Sequence, residues 1–249
     1  MKGEAMSKKI FITGAGTGIG AETSRLLAPG NELFLHHNTS VDAVCAVKED
    51  CEKAGALKVH LLQADIMTEE ACQKLVSDLR SLTDSLDVLV NNAGGMIRRQ
   101  AADQLQWETM EQIFSLNAFS LFKITSLCIP LLKNGTDPNV VNISSIVIRH
   151  GGAGSTLYAA AKGAVDVFTR GLFRELAPTI RVNAVCPGVI DTPFHEKVST
   201  PEQMQAWAQG NPLKRNGYPI HIAKAIKLCV DDDFINGETI DVNGGQMIR

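Results

Sequence analysis

The sequence predicts an α/β fold, a doubly wound parallel sheet of about seven strands with helices on both faces. Three observations carry this expectation. Short apolar runs of strand length alternate with longer segments of helical period from residue 9 to residue 242. The runs are apolar on both faces, as strands covered by helices on either side must be. No proline- or serine-rich linker, and no repeat beyond the strand–helix unit, interrupts the alternation, so residues 1–249 read as a single domain.

Residues 9–13 (KIFIT) form the first strand, and a glycine-rich turn leads into a helix ending near Ala28. Residues 32–37 (ELFLHH) form the second strand, followed by a helix with apolar positions Val41, Val44, Cys45 and Val47. Residues 59–64 (VHLLQA) and 69–82 supply the third strand and its helix. The fourth strand, 86–90 (LDVLV), precedes a long helical stretch over 107–132. The fifth strand is 139–143; a helix over 157–176 is ended by Pro178, and the sixth strand is 180–185. A helix over 220–230 and a strand over 238–242 close the pattern. Residues 188–217 are the least regular. Ligands of open α/β sheets sit beyond the carboxyl ends of the strands, so the segment 189–217 is expected to be a substrate lid.

Composition excludes several function classes. A chain of 249 residues, 45% hydrophobic, buries a full core without metal or disulfide staples and is not disordered. With 24 basic against 27 acidic residues and no basic block, it lacks the footprint of a nucleic-acid binder. Cys45, Cys51, Cys72, Cys128, Cys186 and Cys229 form no Cys-x-x-Cys pair and have no His at zinc spacing. They read as buried reduced thiols of a cytoplasmic protein, and no metal site is expected. Residues 1–10 lack the apolar core of a signal peptide. No charge-free apolar run reaches the roughly 18 residues that span a bilayer, so no membrane partner is expected.

The turn after the first strand is Thr13-Gly14-Ala15-Gly16-Thr17-Gly18-Ile19-Gly20. Glycines let a backbone turn sharply and approach a pyrophosphate, whose charge the amides at a helix N-terminus then meet. Three further motifs stand beside it: Asn91-Asn92-Ala93-Gly94 after the fourth strand, Tyr158-Ala-Ala-Ala-Lys162 with Ser145 upstream, and Pro187-Gly188 after the sixth strand. In this order and spacing, over residues 9–245, they resemble the single-domain short-chain dehydrogenase/reductase family.

That resemblance implies a Rossmann-type sheet and a nicotinamide cofactor. Gly14, Gly16, Thr17, Gly18, Ile19 and Gly20 would hold its pyrophosphate, while Asp65 and Ile66 would flank the adenine. Asn91, Ala93 and Gly94 would form the ribose wall and strand packing, and Pro187, Gly188, Val189 and Thr192 would face the nicotinamide. The second strand ends in His36-His37-Asn38-Thr39-Ser40, with no acid to bind a ribose diol and repel a 2′-phosphate. This is similar to members that prefer NADP, so NADP is favoured over NAD, with His37, Asn38 and Ser40 as contacts. Thr17, however, stands where many NADP users carry Arg or Lys.

Tyr158 and Lys162, four residues apart, share one helix face. A phenol ordinarily titrates near 10, and a nearby ammonium favours its ionised form. Tyr158 is therefore expected to be the proton donor or acceptor. By the resemblance, Lys162 would hold the nicotinamide ribose, Ser145 would steady the reacting oxygen, and Asn117 would anchor a water in the proton relay. The reaction implied is hydride transfer between nicotinamide and a carbonyl or secondary alcohol carbon. A non-catalytic NADP-binding sensor or scaffold is the alternative, opposed by the intact Ser145, Tyr158 and Lys162.

The substrate is expected to be a small-molecule or carrier-bound carbonyl compound. Arg98 and Arg99 would attract an anionic or carrier-bound one, as in similar 3-oxoacyl-[acyl-carrier-protein] reductases, or else form a solvated loop or a subunit salt bridge. The second-strand run is also similar to pteridine reductases. Family resemblance implies a homotetramer or homodimer. The segment 222–237 is shorter than the usual pattern, which bears on subunit contacts.

Overall fold

A computed structural model describes residues 7–247, so residues 1–6 of the N-terminal segment lie outside it. The chain begins with β1 (Lys9–Ile12), α1 (Gly18–Leu27), β2 (Glu32–His37), α2 (Val41–Lys53), β3 (Lys58–Gln63) and α3 (Glu69–Leu82). Next come β4 (Val88–Asn91), α4 (Trp107–Phe114), α5 (Ser120–Lys133), β5 (Asn139–Ile143), a short α6 (Val147–His150) and α7 (Thr156–Leu176). It ends with β6 (Arg181–Pro187), α8 (Pro193–Glu196), α9 (Pro201–Gly210), α10 (Pro219–Asp231) and β7 (Thr239–Val242).

The seven strands form one parallel sheet in the order β3-β2-β1-β4-β5-β6-β7. This is the predicted Rossmann-type architecture. The chain starts in the middle of the sheet, winds outward through β2 and β3, then returns to place β4 on the other side of β1. That reversal opens a crevice at the carboxyl ends of β1 and β4.

The double-sided apolar pattern has a direct cause. Ile10 and Ile12 of β1 point to one face, where Leu27 of α1, Val44 and Val47 of α2 and Ile222 and Ile226 of α10 cover them. Phe11, between them, points to the opposite face, against Leu75 and Leu79 of α3, Ile124 of α5 and Leu172 of α7.

The structure refines three expectations. The stretch over 107–132 is not a plain α-helix: a π-helical turn, Ser115–Phe119, separates α4 from α5 and contains Asn117. Trp107–Lys133 is long and apolar enough to cross a membrane by length and composition, but Ile124, Cys128, Leu131 and Leu132 pack in the sheet core. On α2, Val44, Val47 and Cys51 turn inward while Val41 and Cys45 face solvent, so Cys45 is not the buried thiol expected of it. The segment 189–217 is partly helical rather than irregular, and the pairing of Ile190 with Gly217 pinches its base. The helix starts in it are legible: Pro193 and Pro201 occupy first-turn positions, and Thr200 and Gln203 form a reciprocal capping box.

Candidate active site

The glycine turn and the end of β4 are laced together at the crevice. Thr13 Oγ1 accepts from the backbone N–H groups of Asn92 and Ala93, both at 3.0 Å. The Asn92 amide donates to Thr13 O at 3.0 Å and to Gly14 O at 2.9 Å. Gly14 has φ +65°, and a Cβ there would lie 2.9 Å from Ala93 Cα. At Gly20, in the first turn of α1, a Cβ would come within 2.2 Å of Gly14 O. Glycine at these two sites is therefore what lets helix, turn and β4 approach so closely.

From the other side, His36 Nδ1 accepts from Gly14 N at 3.1 Å while Nε2 donates to Ala64 O at 3.1 Å. Burial pulls the pKa of this imidazole down to about 4, so it is neutral, as its accepting role requires. Thr17, the N-cap of α1, makes no capping bond, and no acid stands in the helix's first turn. The N–H groups there suit an anionic group such as a pyrophosphate.

These elements open on a cavity of about 570 Å³. Of the sequence-predicted residues it brings together Gly14, Thr17, Gly18, Ile19, Asn38, Asp65, Ile66, Ala93 and Gly94 at one end. Ser145, Tyr158, Lys162, Pro187, Gly188, Val189 and Thr192 line the remainder. It does not bring Gly16, Gly20, His37, Ser40, Asn91 or Asn117 to the surface of that cavity. Gly16 lies against Ser40, whose Oγ would be 2.3 Å from an added Cβ. Asn91 is buried, donating to Thr125 Oγ1 and Asn142 Oδ1. Alternation along β2 gives His36 to the cavity and turns the buried His37 away from it. His36 and Asn92 are, on the side of the glycine turn, lining residues that sequence reasoning did not assign; Leu116, Ile143, Ser144, Ile146 and Gln246 are others in the same cavity. The strand alternation and the short polar side chain beside a glycine turn were the available signals for His36 and Asn92.

Ser145, just beyond β5, and Tyr158, in the first turn of α7, both line the cavity, and the Ser145 Oγ accepts from Val147 N at 3.4 Å. Lys162 sits one turn further along α7, its Nζ 5.9 Å from the Tyr158 ring centroid and donating to Ile143 O at 2.8 Å. Burial pushes the phenol up to about 12, opposed by the nearby Ser145 hydroxyl, and pulls Lys162 down to about 8. Burial is the dominant influence on the phenol and keeps it neutral. Asn117 accepts from Gly95 N at 2.9 Å and donates to Gly95 O and Ile113 O at 2.8 and 2.9 Å. Its side chain pins the turn after β4, and the π-helical turn is what aims it there. A Cβ on Gly94 would be 2.8 Å from Asn117 Oδ1 and 3.1 Å from Lys162 Nζ. The site therefore offers a neutral hydroxyl donor with a second hydroxyl and an amine in the same cavity wall.

A family model described as short chain dehydrogenase matches residues 8–203. The chain belongs to the short-chain dehydrogenase family. It is therefore an oxidoreductase with a nicotinamide-cofactor fold, of a family acting on alcohols and carbonyls. Among similar relatives, the 3-oxoacyl-[acyl-carrier-protein] reductase of Aquifex aeolicus is 30% identical, covering 98% of this chain and 99% of its own. The cyclopentanol dehydrogenase of a Comamonas species is 33% identical, with 98% of each covered. Among solved structures, the NADH-dependent reductase A1-R′ responsible for alginate metabolism has a TM-score of 0.87 at 30% identity, with 98% of each chain covered. The same reductase complexed with NAD gives a TM-score of 0.86.

Proposed function

We propose that this short-chain dehydrogenase interconverts a carbonyl compound and its secondary alcohol, with Tyr158 moving the proton. The observation that carries this is the buried Tyr158 phenol, held neutral by burial, in one cavity wall with Ser145 and Lys162. A bound nicotinamide supplies or takes up the hydride at the carbon. In reduction, Ser145 and Tyr158 hydrogen-bond the carbonyl oxygen, and Tyr158 gives that oxygen its proton as negative charge develops. Lys162 holds the cofactor ribose and replenishes the tyrosine proton. Asn117 acts through the Gly94–Gly95 turn it pins, supporting that ribose wall and the water relay that the resemblance implies.

The cradle fits the cofactor: an uncapped α1 N-terminus free of acids stands at the pyrophosphate position, and Asp65 and Ile66 lie on the adenine side. NADP is the favoured form, because Asn38 lines the end of β2 and no carboxylate stands there to repel a 2′-phosphate. NAD is the second reading. No Lys or Arg lines that end, and the similar reductase A1-R′ is NADH-dependent.

The chain works as one domain with 189–217 as the substrate lid, and in a reducing cytoplasm, which its six unpaired cysteines suit. A homotetramer or homodimer built on α4, α5 and α7 is supported by exposed Trp107, Phe119 and Val167. On α7, Gly163 and Gly171 leave open space on the Val167 side of the helix. The alternative sensor or scaffold has no use for Ser145, Tyr158 and Lys162 together in one cavity wall.

Oxidation of NADPH and NADH is to be followed against a ketone panel, beside direct titration of both cofactors. Tyr158→Phe is expected to lower turnover about 10³-fold with cofactor affinity unchanged within about twofold. Unaltered turnover in that variant, or cofactor binding without turnover of any ketone by the parent protein, would overturn the reading.

A further inference from the structure

Beyond Tyr158 the cavity continues along a ladder of rings into the lid. The Tyr158 and Phe194 centroids are 5.9 Å apart, those of Phe194 and His195 5.0 Å, and those of His195 and Trp207 5.8 Å. The ladder ends on Arg99, whose guanidinium carbon lies 5.6 Å from the Trp207 ring centroid. All five residues line the cavity that holds Tyr158. The two adjacent arginines therefore part company. Arg98 is turned outside this cavity, donating from Nε and Nη2 to Thr109 Oγ1. Arg99 is half-buried in the wall.

The Arg99 side chain is held in place without being neutralised. Its Nε donates to Val198 O at 2.8 Å, and the next residue is tied down by Gln100 N donating to Gly154 O at 3.2 Å. Among the described residues no carboxylate makes an ion pair with it. The only acidic side chain lining the whole cavity is Asp65, on the side of the glycine turn. A guanidinium stacked on an indole, fixed through Nε and with both terminal nitrogens available, presents the fork that binds a carboxylate by two parallel hydrogen bonds.

We propose that Arg99 is the substrate-anchoring residue, and that the substrate is a small carbonyl compound carrying a carboxylate. This rests on the reductase reading above. The reacting carbon gains a hydride from the nicotinamide cofactor, which is oxidised, and the oxygen gains a proton from Tyr158. The carboxylate is unchanged and serves only to hold the molecule. Met96, Leu116, Val147 and Phe194 supply apolar surface between the anchor and the reacting end. Arg99 thus selects by charge, while the ring ladder sets the distance at which the carbonyl lies.

The test compares matched pairs that differ only in charge: pyruvate, acetoacetate and levulinate, each beside its methyl ester. At least one acid is expected to exceed its ester in kcat/KM by tenfold or more. In Arg99→Gln the KM of that acid should rise about 10- to 100-fold while its ester changes by less than about twofold, and Arg99→Lys should restore part of the preference. A merely structural clasp on the lid would shift acid and ester alike, and that equal shift would overturn the proposal. So would an Arg99-dependent preference confined to acetoacetyl-CoA over its uncharged N-acetylcysteamine thioester, which would assign the anion to a phosphate.

Calorimetric titration of isobutyrate and isobutyramide into the protein saturated with oxidised cofactor separates this proposal from the one beneath it. Arg99-dependent binding of isobutyrate alone, without turnover of any ketone, would sink the reductase reading and keep the anion site. Ketone turnover without such binding would do the reverse.

Discussion

At the β1–β4 end of the cavity an added methyl group on Gly20 would sit 2.2 Å from a backbone oxygen, whereas α9, over the other end, buries none of its ten residues. One end is built by backbone pressed against backbone, with Thr13, His36 and Asn92 filling the remaining hydrogen bonds. The other is built by side chains reaching between loops: Arg99 to Val198, His195 to Ser199, and the rings of Phe194 and Trp207 between them. A close-packed backbone has few alternatives, so the first end suits a part of the reaction that does not vary. Side-chain contacts between loops are individually weak and replaceable, which suits the part that discriminates among substrates.

The largest break in this contrast is Gly20→Ala. The collision is with backbone, which cannot swing aside, so the cost should be about 3 kcal/mol or more in urea unfolding, with loss of cofactor binding. Gly210→Ala, at the end of α9 with nothing within 4 Å of the new Cβ, is the matched control in the lid and should leave stability within about 0.5 kcal/mol. Equal effects at the two sites would remove the distinction.

The same contrast explains which features are legible in the sequence. Gly14, Gly20, Asn91 and Asn92 are fixed by sterics and buried hydrogen bonds, so their residue types are dictated and the motif is visible as a string of letters. Tyr158 and Lys162 are legible because four residues on a helix share a face. The roles within those motifs are less visible. By resemblance Asn117 is expected to anchor a water in the proton relay, and only the fold shows that its amide is bonded to Gly95 and Ile113 from a π-helical turn. Alternation on a strand puts two adjacent histidines on opposite sides, but which one meets the cavity is decided by the fold, as it is for two adjacent arginines in a loop. Strand alternation sends His36 to the cavity and His37 away from it, and the fold at 95–100 separates Arg98 from Arg99. Helices α8 and α9 escape hydrophobic periodicity because they have almost no buried face to report. Their proline and Thr-x-x-Gln starts are the signal that remains.

His36 gives the backbone-built end a pH dependence of known sign. Its pKa is lowered from 6.5 to about 4 in the fold, so between those values the unfolded chain binds the extra proton. Stability from this group is complete above pH 6.5 and lost as pH falls toward 4. A shift of that size in a ring only 2% exposed corresponds to about 3 kcal/mol. Urea midpoints from pH 7 to pH 4 should fall for the parent protein more steeply than for His36→Asn. Parallel slopes would mean that burial does not hold the imidazole neutral in the fold.

The smallest expected effect sharpens the contrast most, because it compares the same chemistry at both ends. Thr68 caps α3, its Oγ1 accepting from Ala71 N at 3.2 Å, and α3 buries Cys72, Leu75, Val76 and Leu79. Thr200 caps α9, its Oγ1 accepting from Gln203 N at 3.3 Å, and α9 buries nothing fully. Removing either hydroxyl by substitution to Ala costs about 1 kcal/mol of helix stability. On α3 that cost is coupled to the core, so Thr68→Ala should lower the global unfolding free energy by about that amount. On α9 the helix can open while the sheet stays intact. Thr200→Ala should therefore leave the urea midpoint unchanged and speed hydrogen exchange of the α9 amides about fivefold. If Thr200→Ala lowers the midpoint as much as Thr68→Ala does, the lid folds and unfolds with the core, and substrate selection is not the work of a separately opening segment.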